Sequence, residues 1–269
     1  MTRLGRAQLV VVAALAAAAG CHKKSEAALT VPAAVPPAVA APTLYEQGKV
    51  ALDQKHYSEA VDYFTRATAS ASDPELRANA WLALGAAYGE LGDHARAIAA
   101  YEQVTVLRPD DPDAWRVLAE GMAAAGKRDR QAAALEHVIA LDPDDLAAYV
   151  DLAGLDFTIG KTDQSKDVYL RYEARRRDAV VQLGKSKDPA ARVAAAEALG
   201  GARDAATARA LVLALTDKDP SVRVACAQSL GRIGVDIDPE IRPALEARLK
   251  SEPNETVRTA VGDALAGAR

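Results

Sequence analysis

Cysteine is scarce in this chain: two occur among 269 residues, Cys21 and Cys226. That excludes a disulfide framework and leaves no CxxC pair for redox or zinc chemistry. Aromatic residues make up only 4%, and β-branched or aromatic runs of the strand type are nearly missing, which argues against a β architecture. The histidines, His22, His56, His94 and His137, are scattered without metal-ligand spacing. There is no phosphate-binding glycine loop and no Gly-x-Ser-x-Gly nucleophile turn. The acidic runs Asp110-Asp111-Pro112-Asp113 and Asp142-Pro143-Asp144-Asp145 lack EF-hand spacing and its glycine. Aspartates there are expected to cap the helices that follow. The expectation is a chain with no catalytic residue, no metal site, no cofactor and no evident small-molecule substrate.

Net positive charge is also lacking. The formal charge is −4, and a leader carrying Arg3 and Arg6 would leave the remainder more negative still. Nucleic acid is therefore not the expected partner, since phosphate binding needs a basic face. The run Arg175-Arg176-Arg177 is locally basic and reads as a solvated helix face or a partner contact.

What is present is alanine, within a 50% hydrophobic content. Alanine has the highest helix propensity, and its small side chain lets helices approach closely, so an all-α fold is expected. The first 21 residues, MTRLGRAQLVVVAALAAAAGC, read as an address. Arg3 and Arg6 form a positive start, Leu9 to Ala19 an apolar stretch too short for a comfortable span of about 20 residues, and small residues close the segment. Ala18-Ala19-Gly20-Cys21 resembles the bacterial lipobox, departing from it at Ala18, where leucine is commonest. The resemblance implies cleavage before Cys21 and acylation of that residue, its sulfur being the nucleophile for lipid transfer. Several acyl chains anchor firmly where one does not. An ordinary secretory leader with an incidental cysteine is the alternative. His22 follows, without an aspartate of the inner-membrane-retention kind, so the resemblance implies the periplasmic leaflet of the outer membrane. Residues 22–41, rich in alanine, proline and valine, read as a disordered tether. With Cys21 acylated, Cys226 has no partner, and its apolar setting suits a small packed core residue.

Internal periodicity carries the fold. Trp81, Trp115 and Tyr149 recur every 34 residues, as do Leu84, Leu118 and Leu152, and Gly92, Gly126 and Gly160; Leu107 and Leu141, and Pro109 and Pro143, share the shift. Residues 78–111 carry Trp81, Leu84, Gly85, Tyr88, Gly92, Ala97, Tyr101 and Pro109, which resembles the tetratricopeptide repeat. The next unit departs from that pattern at Gln131, where alanine is usual. The unit from about residue 146 keeps Tyr149, Leu152, Gly160 and Tyr169 before the pattern degrades. The resemblance implies about four helical hairpins over 42–176, in a right-handed solenoid. A large aromatic on the first helix is expected to fill the space left by a small residue on the second, with glycine at the turn. It also implies a groove lined by first helices, including Tyr45, Lys49, Asn79, Leu82, Glu90, Asp113, Arg116 and Glu120. Their mixed charges do not match the basic clamp that chaperone-binding members use for acidic C-termini.

A second array follows over 177–269. Lys187-Asp188-Pro189 recurs as Lys218-Asp219-Pro220, Arg192-Val193-Ala194 as Arg223-Val224-Ala225, and Leu199-Gly200 as Leu230-Gly231, with a weaker copy at Val257-Arg258-Thr259-Ala260. This resembles short alanine-rich HEAT repeats, a type also found in phycobilin lyases. Asp188 and Asp219 are expected to cap helices with proline at the first position, and Gly200 and Gly231 to end them. Arg192, Arg223 and Arg258 are expected to form a ladder, bridging acids of adjacent units or facing a ligand. The expected function is a membrane-anchored adaptor that binds other proteins and is not an enzyme. A structural envelope spacer is the alternative, and a bilin-lyase-like enzyme a remote one.

Overall fold

The computed structural model describes residues 39–267. The leader, Cys21, His22 and nearly all of the tether expected over 22–41 lie outside the described residues; Ala41 already opens the first helix. The fold is all-helical. Four antiparallel hairpins come first: α1 (Ala41–Asp53) with α2 (Tyr57–Ser70), α3 (Pro74–Glu90) with α4 (His94–Leu107), α5 (Pro112–Ala124) with α6 (Arg128–Leu141), and α7 (Leu146–Thr158) with α8 (Thr162–Lys185). Then come α9 (Pro189–Leu199), α10 (Ala205–Ala214), α11 (Pro220–Ile233), α12 (Ile241–Ser251) and α13 (Glu255–Ala266). Each hairpin packs on the next through its second helix, α2 on α3, α4 on α5 and α6 on α7. Beyond α8 the packing becomes two-layered, with α9, α11 and α13 in one row and α8, α10 and α12 in the other. No described helix is long and apolar enough to cross a membrane.

Helix starts follow the aspartates. Asp73, Asp111, Asp188 and Asp219 each accept a backbone N–H from the first turn, with Pro74, Pro112, Pro189 and Pro220 behind them, and Asp145 caps α7 in the same way. The turn glycines Gly92, Gly126 and Gly160 adopt φ of 74°, 66° and 81°, the left-handed region closed to most side chains.

Two expectations are corrected. The aromatic-to-small fit runs the other way: glycine stands on the first helix and the ring on the second. A methyl added at Gly48 would lie 2.5 Å from the Phe64 ring, and one at Gly85 would overlap Tyr101. Trp115 is only half-buried and stacks on His137 at 3.9 Å, its Nε1 donating to the Pro109 carbonyl. A glycine sits at the closest interhelical approach because any Cβ there would push the helices apart. Likewise Gly231 does not end a helix. It lies inside α11, which stops at Gly234 (φ 97°), and its missing side chain admits Ala264 of α13, whose Cα would stand 3.2 Å from an added methyl.

The core divides unevenly. One cluster runs without interruption from Ile98 to Ala264 and takes in both arrays; a smaller one holds Ala51, Ala60, Phe64, Leu84, Ala87 and Ala100. Helix α8 explains the first. Its 24 residues run straight through the expected boundary at 176/177; Val168 and Tyr172 face the fourth hairpin's core and Leu183 lies further along the same cluster. The basic run sits here and is not simply solvated. Arg176 pairs with Glu173 at 2.8 Å and lies 3.8 Å from Asp204, while Arg175 lies 3.7 Å from Asp144. The Tyr172 hydroxyl donates to Asp204 at 3.0 Å; burial, then the Asp204 charge, push that phenol's pKa well up.

Cys226 is fully buried on α11, and burial pushes its thiol up to about 12. Neither the thiolate nor access to it is available in the folded chain. The native protein is therefore expected to leave Cys226 unlabelled by a thiol reagent over hours and to label it within minutes in denaturant; mass spectrometry of the 226-containing peptide checks this.

Candidate functional site

The eight groove positions expected from the first three hairpins do not form one free surface. Tyr45 is half-buried and its ring packs 5.9 Å from Phe64, with Lys49 above it at 5.7 Å and bonded to Glu46 at 3.1 Å. Asn79 accepts from Arg108 at 2.8 Å, and Arg108 also holds Glu75. Arg116 bonds Asp145, the cap of α7, and approaches Asp113 at 3.8 Å. Burial works against the Arg116 cation, but the Asp145 bond prevails and holds its pKa above the ordinary value. Leu82 is half-buried, whereas Glu90, Asp113 and Glu120 are exposed. Most of these side chains are thus engaged within or between hairpins, which stiffens the stack and leaves little free binding capacity.

The open ground lies in the fourth hairpin. Val150, Ala153, Gly154 and Phe157 of α7, with Thr162, Ser165, Lys166 and Tyr169 of α8, line a groove of about 460 Å³ whose walls are almost wholly apolar. Phe157 is 69% exposed and Tyr169 53%, large fractions for aromatic rings in a folded chain. The floor is tied by the Ser165 hydroxyl, which donates to the Ala153 carbonyl at 2.8 Å. Lys166 is the only charged side chain in the lining and makes no ion pair among the described residues. A methyl on Gly154 would meet nothing within 4 Å.

Two features show what shape is missing. Tyr101 holds the position 68 residues before Tyr169, and its ring is enclosed between Gly85 of its own hairpin and Gly121 of α5, the first helix of the next. Tyr169 has Ala153 at the position equivalent to Gly85, in the same groove lining, and its ring stays 53% exposed. The second feature is length. Helix α9 has 11 residues and runs back from the end of the 24-residue α8. At about 1.5 Å per residue it covers about 16 of 36 Å, so the first half of α8 is left uncovered by α9 on its outer side. Val150 and Gly154 occupy in the fourth unit the register that Arg116 and Glu120 occupy in the third, and Phe157 that of Ala123. Carrying that register one unit further along the sequence would have found them.

A separate cleft of about 710 Å³ lies at the junction of the arrays, lined by Arg116, Asp142, Asp145, Glu197, Arg203 and Arg232 among others. Its charges are mixed and partly neutralise one another. Among the described residues no three histidine, cysteine or acidic side chains converge to hold a metal ion.

The helices thus define an α-solenoid built of stacked hairpins, the class of scaffold that displays extended surfaces. Residues 45–114 and 82–145 match the tetratricopeptide repeat family and residues 178–266 the HEAT repeat family, so the chain carries tetratricopeptide repeats in its first part and HEAT repeats in its last. No curated protein matches it. Among solved structures it is similar to a crystal structure of MamA, at 21% identity over 51% of this chain and 79% of that one, with a TM-score of 0.44. The first tetratricopeptide domain of Spaghetti (RPAP3), bound to an HSP90 peptide, is 22% identical over 44% and 92%, with a TM-score of 0.39. TTC0263 of Thermus thermophilus, a thermophilic tetratricopeptide protein, is 18% identical over 71% and 99%, with a TM-score of 0.36.

Proposed function

We propose that this chain is a membrane-anchored adaptor that seats a helix of a partner protein between α7 and α8. The half-enclosed ring of Tyr169 carries the reading. The same position in the second hairpin is closed by a small residue on the next helix, so the expected occupant is an amphipathic helix with alanine or glycine over Tyr169. The apolar floor from Val150 to Phe157 spans about two helical turns. An acidic residue on the same helix would meet Lys166, the unpaired cation of the lining. Helix-in-groove recognition of this kind uses i, i+3, i+4 and i+7 anchors.

Anchoring rests on the first 21 residues. Lipid on Cys21 would hold the adaptor at the periplasmic face of the outer membrane, and residues 22–41 would let it reach away from the bilayer. In the cell, palmitate label is expected in the wild type and not in Cys21→Ala, which should leave the membrane fraction. A Cys21→Ala protein that still fractionates with the outer membrane defeats the anchoring.

The groove is tested separately. A photocrosslinker at residue 157 should capture a partner segment with a two-turn apolar stripe and a carboxylate beside it. Gly154→Leu fills the groove from a position with free space around it, and should abolish capture without lowering the melting temperature. Capture spread over unrelated polar segments, or unaffected by Gly154→Leu, would rule the groove out and favour a spacer.

A further inference from the structure

We propose that Arg258 and the adjoining face of α13 form a second docking site, one that takes an acidic turn at the head of a partner helix. The C-terminal array uses its arginines in a repeated way. One edge of the guanidinium, Nη1, donates to the two carbonyls before its own helix cap: Ser186 and Lys187 for Arg192 at 3.1 and 3.4 Å, Asp217 and Lys218 for Arg223 at 2.8 and 3.3 Å, Glu252 and Pro253 for Arg258 at 3.0 and 2.9 Å. The other edge, Nε with Nη2, grips a carboxylate of the following unit. Arg192 holds Asp217 at 2.8 and 2.9 Å, and Arg223 holds Glu252 at 2.9 and 2.8 Å.

Each receiving acid sits in the same local structure. Asp217 accepts the N–H of Asp219 at 2.8 Å and Glu252 that of Asn254 at 2.9 Å, so the carboxylate stands two residues before a helix cap. Arg258 has the first half of this arrangement and, among the described residues, not the second: its Nε and Nη2 meet no carboxylate. Two-pronged pairing with a carboxylate is the strongest use of that free edge.

A second observation marks the same face. One turn after each arginine stands a small residue, Ala196, Ala227 and Gly262. The first two are completely sealed, and the Ala196 carbonyl accepts the Ser229 hydroxyl of the next helix in the row at 2.7 Å. Gly262 is partly exposed, and a methyl there would touch nothing within 4 Å. The guanidinium fork and the seat for a helix are therefore open side by side. The chemistry that fits is an acid-x-cap turn leading into a helix with a small or polar contact residue. A second copy of this chain does not supply it from Asp217 or Glu252, which are held within their own fold.

The test uses the full chain and a fluorescent peptide of residues 217–233 carrying Cys226→Ser, which contains both the turn and the helix. Saturable binding is expected, with affinity falling about tenfold or more for Arg258→Lys, which keeps the charge but loses the fork. Asp217→Asn in the peptide should have a similar effect. Gly262→Leu, which improves helix propensity, should block binding while leaving thermal melting unchanged or raised. Absence of saturable binding, or binding indifferent to Arg258→Lys and to Asp217→Asn, overturns the proposal.

Discussion

Replacing Glu252 by alanine is expected to destabilise the C-terminal array by about 3–5 kcal/mol, the usual cost of removing one partner from a buried ion pair. The Glu252 side chain is wholly buried and accepts from Arg223 at 2.9 and 2.8 Å, from Arg248, and from the Asn254 N–H at 2.9 Å. The side chain of Arg223 is itself only 9% exposed. Alanine would leave that guanidinium desolvated and without its counter-charge. Glu252→Gln should be intermediate, since it keeps acceptor and shape but not the charge. Urea unfolding followed by circular dichroism measures the loss; a change below about 1 kcal/mol would mean that the pair contributes no more than an exposed one.

The same carboxylate makes stability depend on acid. Hydrogen bonding to Arg223 outweighs the opposing effect of burial, and with the Asn254 N–H and Arg248 it holds the Glu252 pKa down to about 2, against an ordinary 4.5. The folded pKa lies below the unfolded one, so the contribution is complete above about 4.5 and fades as pH falls toward 2. Between those values the wild type should lose melting temperature more steeply than Glu252→Gln. Parallel slopes would show that other groups dominate acid unfolding.

Phe64→Ala is expected to cost about 3–5 kcal/mol, in the range of buried phenylalanine truncations, and to do so locally. The ring is completely buried and faces Gly48 so closely that no side chain fits between them. Its cluster, with Ala51, Ala60, Leu84, Ala87 and Ala100, is separate from the core that begins at Ile98. In a stack where each unit leans on its neighbours, a lesion at one end need not propagate. Hydrogen exchange should show α1 and α2 losing protection while α9 to α13 keep theirs. An even loss along the whole chain would show a single cooperative unit instead.

Much of the stack was legible in the sequence because its determinants are local and periodic. Each proline-backed aspartate cap and each left-handed turn glycine has a residue type that almost dictates its place. Gly85 and Tyr101 were visible too, but not which helix supplied the ring, because a 34-residue period marks equivalence between units and says nothing of which face meets which. On α8 (Thr162–Lys185), a long joining helix near 163–176 was legible, and only the engagement of its arginines escaped, for a different reason. Its basic run looks like solvated surface until Asp204, 28 residues on and in no motif, is placed beside Arg176. The α7–α8 groove was missed because a vacancy arises from what a neighbour fails to cover. The 34-residue register marks its α7 positions, but only the shortness of α9 against α8 shows that they stay uncovered.

That shared helix also sets an angular phase. With 3.6 residues per turn, one residue inserted into α8 between Tyr172 and Leu183 would rotate everything downstream by about 100°. The insertion would carry Asp204 away from Tyr172 and Arg176 and turn the Arg258 fork to another bearing relative to Phe157. Unlike a loop, this junction does not tolerate a change in length: the bearing between the two ends of the molecule is counted out in whole residues.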